Sequence, residues 1–307
     1  MPIPRFATTF RRGHASRILC LLALSLLPFL PAHAQTAPPP RPAQIQWQPD
    51  KLVNGSPVLF KVSASPKVQS VSAVWFGHNL NFFHPASGKV WYALAGVPVE
   101  TTPGRYDLTV KETLATGKSS EIQVKIKVAS AAYPKITIQV AKQFTEPDPE
   151  QLREIAADKD VKEKTFAAET PERLWTGTFL PPVSAPVSDV FGTARVINQE
   201  VKSRHLGLDY GVPTGTVVHA VNHGTVILAR PLFFEGNCVV LDHGQGLMSL
   251  YLHLSQFSVK EGDEVAPGQV IGLSGGTGRA TGPHLHLAIR WQGVYLNPAI
   301  LLKMQLP

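Results

Sequence analysis

The chain has 307 residues, of which 44% are hydrophobic and 17% charged, and carries a formal net charge of +7 at pH 7. That balance fits packed globular cores, excludes a disordered chain, and at this length favours two or more domains. No Lys/Arg stripe interleaved with aromatic residues runs through the sequence, which excludes a nucleic-acid footprint.

At the N-terminus, Arg5, Arg11, Arg12 and Arg17 occur without an acid and precede an apolar run from Ile18 to Leu30, then Ala32-His33-Ala34. The pattern predicts a signal peptide over residues 1–34. The run is short for a bilayer span, so no integral membrane segment is expected once the leader is cleaved. Cleavage removes four arginines and lowers the net charge to about +3. Cys20 leaves with the leader, so Cys238 stands alone and no internal disulfide is expected. Asn237-Cys238-Val239-Val240-Leu241 reads as a core strand with a buried thiol.

Residues 35–43, with Pro38-Pro39-Pro40, predict an extended Pro-rich tether. From 44 to 140 the pattern is β throughout, in runs such as Val58-Leu59-Phe60-Lys61-Val62 and Val71-Ser72-Ala73-Val74-Trp75 separated by turn residues. An immunoglobulin-like β-sandwich is expected there, with His78 and His84 in surface or structural roles. A helical connector is expected over 141–175. Asp148-Pro149-Glu150 supplies an N-cap, a proline at the first helical position and an early acid, and Leu152, Ile155 and Ala156 form its apolar stripe. Short strands return over 176–307, enough for one antiparallel β-sheet domain, so the expected fold class is mainly β.

Seven of the 11 histidines fall between positions 205 and 286. In His205-Leu206-Gly207-Leu208-Asp209, the two-residue period of a strand sets His205, Gly207 and Asp209 on one face, and Gly207 leaves room for an ion between the two side chains. In His284-Leu285-His286-Leu287-Ala288-Ile289 the two histidines share a face opposite Leu285, Leu287 and Ile289. A helix would point them about 200° apart, so the pairing works only on a strand. Along Leu250-Tyr251-Leu252-His253-Leu254-Ser255 the same parity groups Tyr251 with His253, which offers another imidazole. Histidines and an aspartate set against apolar faces are costly to bury without a partner, and the spacing points to a zinc site. His219, His223 and His243 are read as structural. Gly272-Leu273-Ser274-Gly275-Gly276-Thr277-Gly278 lacks the Lys-Ser/Thr of a phosphate loop and is read as a loop approaching the site.

At these residues the sequence resembles the LytM/lysostaphin-type zinc metallo-endopeptidases, a family of peptidoglycan hydrolases. The matching motifs are His205-Leu-Gly-Leu-Asp209, Tyr251-Leu-His253-Leu and Gly282-Pro-His284-Leu-His286, with Phe191-Gly192 upstream. The resemblance covers roughly 180–300 and implies a LytM-type peptidase domain over 176–307. It also implies that His205, Asp209 and His286 bind Zn2+ and that His253 and His284 are catalytic. Peptide stem or cross-bridge bonds of peptidoglycan are then the expected substrate. The expected location is exported, with the periplasm of a Gram-negative cell favoured over release, and no regulatory protein partner is identified. The rival reading is a catalytically inactive relative that binds wall or activates another hydrolase. A biotinyl- or lipoyl-type carrier is excluded because no lysine occurs between Lys260 and Lys303.

Overall fold

Alternating burial organises the N-terminal β region of this computed structural model: Val71, Ala73 and Trp75 point inward while Ser70, Ser72 and Val74 are exposed. The structure describes residues 44–307 apart from 86, 87, 89, 168, 169 and 200; the expected leader at 1–34 and tether at 35–43 lie outside the described residues. Gln44–Gln48, Pro57–Ser63 and Val90–Gly96 form a three-stranded sheet. A five-stranded sheet runs in the order Leu52–Val53, Ser119–Ala129, Gly104–Leu114, Val68–Trp75, His78–Leu80. The two sheets meet where Trp75 contacts Phe60 edge to face at 5.4 Å and donates its indole N–H to Gly96 O at 2.8 Å.

The C-terminal half is built on an eight-stranded sheet whose pairs are all antiparallel. Five of its strands matter most: β1 (Leu208–Tyr210), β2 (Gly224–Leu232), β3 (Gly236–Asp242), β4 (Leu247–Leu254) and β5 (Leu285–Trp291), in the spatial order β1-β5-β4-β3-β2. This sheet is apolar on both faces. Leu208, Val239, Leu241, Tyr251, Leu285, Leu287 and Ile289 join a core that is continuous with the N-terminal β region. Leu228, Cys238, Val240, Met248, Leu250 and Ala288 cover the other face. The N-terminal β region abuts the sheet closely enough that a Cβ on Gly96 would lie 2.2 Å from Leu296 Cδ2.

Helix α1 (Pro149–Ala167) closes the second face. Asp148 caps it by accepting from Glu150 N and Gln151 N, both at 2.9 Å, while Gln151 Oε1 accepts from Asp148 N at 3.0 Å. That reciprocal arrangement is a capping box. The apolar contact does not run along the stripe expected from Leu152, Ile155 and Ala156, because Leu152 is 53% exposed. Val161 and Phe166, further along the helix, pack on the sheet instead. Polar anchors fix that register: Asp158 accepts from Phe233 N at 2.6 Å, and Lys162 pairs with Glu235 at 2.7 Å.

Behind β3 and β4, buried His243 ends a polar chain. Its Nδ1–H donates to His223 O at 2.7 Å, and its Nε2 lies 2.8 Å from Ser249 Oγ. The Ser249 hydroxyl lies 3.1 Å from that of Tyr251, which accepts from Val221 N at 2.8 Å. Burial favours the neutral imidazole and pushes the His243 pKa down to about 4 against the opposing influence of His223 O and Asp242. The folded value lies below the unfolded one of about 6.5, so this contribution is complete above pH 6.5 and is lost as pH falls toward 4. It amounts to about 3 kcal/mol. His243→Gln should be less stable than the parent at pH 7 in urea unfolding but lose less stability between pH 6.5 and 4.5; an unchanged pH slope would count against this role.

Candidate metal centre

Antiparallel pairing of β1 with β5 sets Asp209 directly opposite His286, so their side chains leave the sheet side by side. His205 precedes β1 in a connection held by Gly192 N to His205 O and His205 N to Thr193 O, both at 2.8 Å. His205 Nε2, Asp209 Oδ1 and His286 Nδ1 converge: the first two are 3.0 Å apart, the last two 2.7 Å, and the two ring nitrogens 3.0 Å. Burial opposes ionisation of Asp209, but the adjoining His205 and His286 rings outweigh it and hold the carboxyl well below the usual carboxylate range.

This arrangement is not self-sufficient. His205 Nδ1 lies 2.9 Å from Val190 O, an acceptor only, so the single proton of a neutral ring belongs there. Nε2 then presents a lone pair to the anionic Oδ1 and to a second imidazole nitrogen. A cation between the three atoms removes the conflict, and two imidazole nitrogens with one carboxylate oxygen are a donor set suited to zinc. The donors therefore fit a metal. The other carboxylate oxygen is already committed, because Asp209 Oδ2 accepts from Arg195 Nη2 at 2.9 Å. Arg195 is in turn held by Asp189, which also accepts from Thr193 Oγ1 at 2.8 Å. Neither Asp189 nor this use of Arg195 was visible from strand periodicity.

Two further imidazoles stand beside the converging atoms. His253 and His284 have ring centroids 4.8 Å apart, and His253 is 6.1 Å from His286. Each spends its Nδ1–H on a backbone carbonyl, His253 on Thr277 O and His284 on Gly282 O, both at 2.8 Å. Both Nε2 atoms are thus unprotonated in the neutral rings. Burial, helped by the charges of His286 and His284, pushes His253 down to about 3.

Strand parity misplaces two neighbours and fails at one site residue. Positions 205–207 are not in a strand, so Leu206 turns into the cavity, whereas Leu208 enters the core. Tyr251 does not share a face with His253: it is buried in the main core. The parity breaks at His253 itself, whose φ of 63° swings the ring to the side lined by Leu250 and Leu252. His284 also lies just ahead of β5, where its N–H donates to Gly275 O at 3.0 Å. All five histidine and aspartate side chains open onto one cavity of about 510 Å³, which continues past Arg195 and Arg279 to Leu228, Cys238 and Phe166 of α1.

The family profile described as peptidase family M23 matches residues 203–298, which contain all five residues. A crystal structure from Pseudomonas aeruginosa assigned to peptidase M23 is 30% identical, covers 82% of this chain and 95% of that one, and superposes with a TM-score of 0.62. The chain belongs to peptidase family M23. Among curated M23 relatives, peptidoglycan DD-endopeptidase ShyA of Vibrio cholerae is 45% identical over 103 residues, 34% of this chain and 23% of that protein. DD-carboxypeptidase/endopeptidase Mpg of Neisseria meningitidis is 46% identical over 94 residues, 31% of this chain and 22% of that protein. The chain thus matches less than a quarter of the length of either relative.

Gly207 is the tightest point of this M23 site. A Cβ there would lie 2.3 Å from His286 Nε2 and 2.6 Å from Leu287 O, so a side chain would push the His286 ring away from Asp209. Gly207→Ala should lower zinc affinity by at least about tenfold, the scale of disturbing a group that orients a metal ligand, in competition with a chromogenic chelator. Unchanged affinity in a folded variant would show that the ring has room to move.

Proposed function

We propose that this M23 chain is a zinc-dependent metallo-endopeptidase that hydrolyses peptide cross-links of bacterial peptidoglycan. The observation that carries the reading is the meeting of His205 Nε2, Asp209 Oδ1 and His286 Nδ1 beside two imidazoles whose Nδ1 atoms are held by backbone carbonyls in one cavity. The curated names of the Vibrio and Neisseria relatives support the choice of bond and polymer.

In this reading His205, Asp209 and His286 hold the metal, and His253 and His284 are catalytic. Zinc, when bound, supplies a Lewis acid and an open position at which water becomes acidic near neutral pH. Arg195 fixes Asp209 Oδ2, so Oδ1 stays directed at the site. Thr277 O and Gly282 O fix the tautomers of His253 and His284. Either Nε2 can then take a proton from water and return it to the leaving nitrogen, while the other ring, carrying a proton taken up from solvent, can hydrogen-bond the developing oxyanion. Loss of function by ligand loss, the route to an inactive relative, finds no support, because all five side chains face the cavity.

We read residues 44–140 as an immunoglobulin-like sandwich, 141–175 as the helical connector and 176–307 as the peptidase domain. We also read the protein as exported, by a signal peptide at 1–34, to the periplasm of a Gram-negative cell. No helix among the described residues is long and apolar enough to cross a membrane.

The test is digestion of purified sacculi of known cross-link chemistry, with products identified by mass. Zinc-loaded protein should cleave cross-links, a chelator should stop it, and added zinc should restore it. His205→Ala and Asp209→Ala should lose both zinc and cleavage, whereas His284→Ala should keep zinc with turnover reduced at least about 100-fold, the scale of a lost general base or acid. Cleavage by zinc-free His205→Ala would overturn the assignment.

A further inference from the structure

The cavity holds four basic side chains besides its histidines, and three of them are engaged. Arg195 is committed to Asp189 and Asp209, Arg204 donates to Gly192 O at 2.8 Å, and Lys162 pairs with Glu235 Oε1 at 2.7 Å. Arg279 differs. Its backbone N–H donates to Phe234 O at 2.9 Å, and its guanidinium carbon stands 4.8 Å from the centroid of the Phe234 ring. Among the described residues its guanidinium makes no hydrogen bond and no ion pair.

Glu235 is near enough to influence Arg279 electrostatically but does not pair with it. The second oxygen of Glu235 is itself buried without a partner. Half-buried Arg279 therefore keeps a charge with no hydrogen-bonded partner on the wall of the cavity that the metal donors line. Burial works against that charge and lowers its pKa, and Arg195 adds a like charge in the same direction. Stacking on Phe234 leaves the N–H edge of the guanidinium as its open side. That edge is a planar fork matched to a carboxylate, which it can bind through two parallel hydrogen bonds.

We propose that Arg279 is the carboxylate subsite of this peptidase: it binds a free carboxylate of the peptide substrate while the scissile bond lies at His205, Asp209 and His286. This rests on the peptidase reading above and adds a substrate class, peptides bearing a free carboxylate near the bond cut. The carboxylate can belong to a C-terminus or to a side chain. Arg279 is a specificity residue in this scheme, distinct from the groups that move protons.

Four versions of one cross-link peptide test the proposal, with the C-terminal carboxylate and the side-chain carboxylate next to the scissile bond each as the acid or the amide. Zinc-loaded parent protein should favour the acid over the amide at one of the two positions by about 10–100-fold in kcat/KM, the scale of a charge-assisted bidentate contact. The position that matters identifies the source. Arg279→Gln should bring the acid peptide down to the level of the amide with zinc content unchanged, and Arg279→Lys should retain part of the preference. Calorimetry with uncleavable peptides, a methyleneamine replacing the scissile amide, should give the same loss of preference as a binding difference. A preference that persists in Arg279→Gln, or equal slowing on acid and amide, would overturn the subsite. If the parent cleaves none of the four peptides the peptidase reading falls, and the calorimetric preference still decides whether Arg279 binds a carboxylate.

Discussion

Two imidazole nitrogens and one carboxylate oxygen brought to a single point are the constraint around which the C-terminal half is arranged. His205 Nε2, His286 Nδ1 and an anionic oxygen of Asp209 meet within about 3 Å, and the surrounding structure keeps them there. The β1–β5 register supplies two of the three, and the connection before β1 supplies the third through two backbone hydrogen bonds to residues 192 and 193. Arg195 neutralises the carboxylate from outside without occupying the oxygen that faces the site. Such preorganisation opposes stability locally and has to be offset by packing elsewhere.

The offset is visible in the two apolar faces of the sheet. One face shares a continuous core with the N-terminal β region, from Phe60 and Trp75 through Leu287 to Leu301. The other is closed by α1, whose Val161 and Phe166 complete a smaller cluster while Asp158 and Lys162 tie the helix to the ends of the strands. The site therefore sits on strands immobilised from both sides. The cavity runs between the metal end of the sheet and the apolar surface beneath α1, so one concave space offers charged and apolar walls together.

How much of this was legible in the sequence depends on where regular strand geometry holds. On β5, alternation alone separates Leu285, Leu287 and Ile289 from His286. The same rule fails at Leu206, because residues 205–207 are a bend between strands, and at His253, because a positive φ rotates one residue out of parity. Both departures are backbone choices made by tertiary contacts, the first by the loop carrying Gly192 and Thr193, the second beside Glu235 O, which accepts from His253 N at 2.9 Å. The Asp189–Arg195–Asp209 link was likewise hidden, since it joins side chains from three segments with no common period. The family motifs reached the five site residues but carried no information on Arg279, whose character lies in what it does not touch.

Cys238 shows what the closed second face means chemically. Its side chain is fully buried in the cluster that α1 completes, and burial pushes the thiol far above its ordinary range, with Glu235 adding to the effect. A sulfur kept protonated and out of contact with solvent is neither a nucleophile nor a ready ligand for stray metal. The folded chain can therefore carry this cysteine without cross-linking to its neighbours, and the helix that packs the sheet also shields the sulfur.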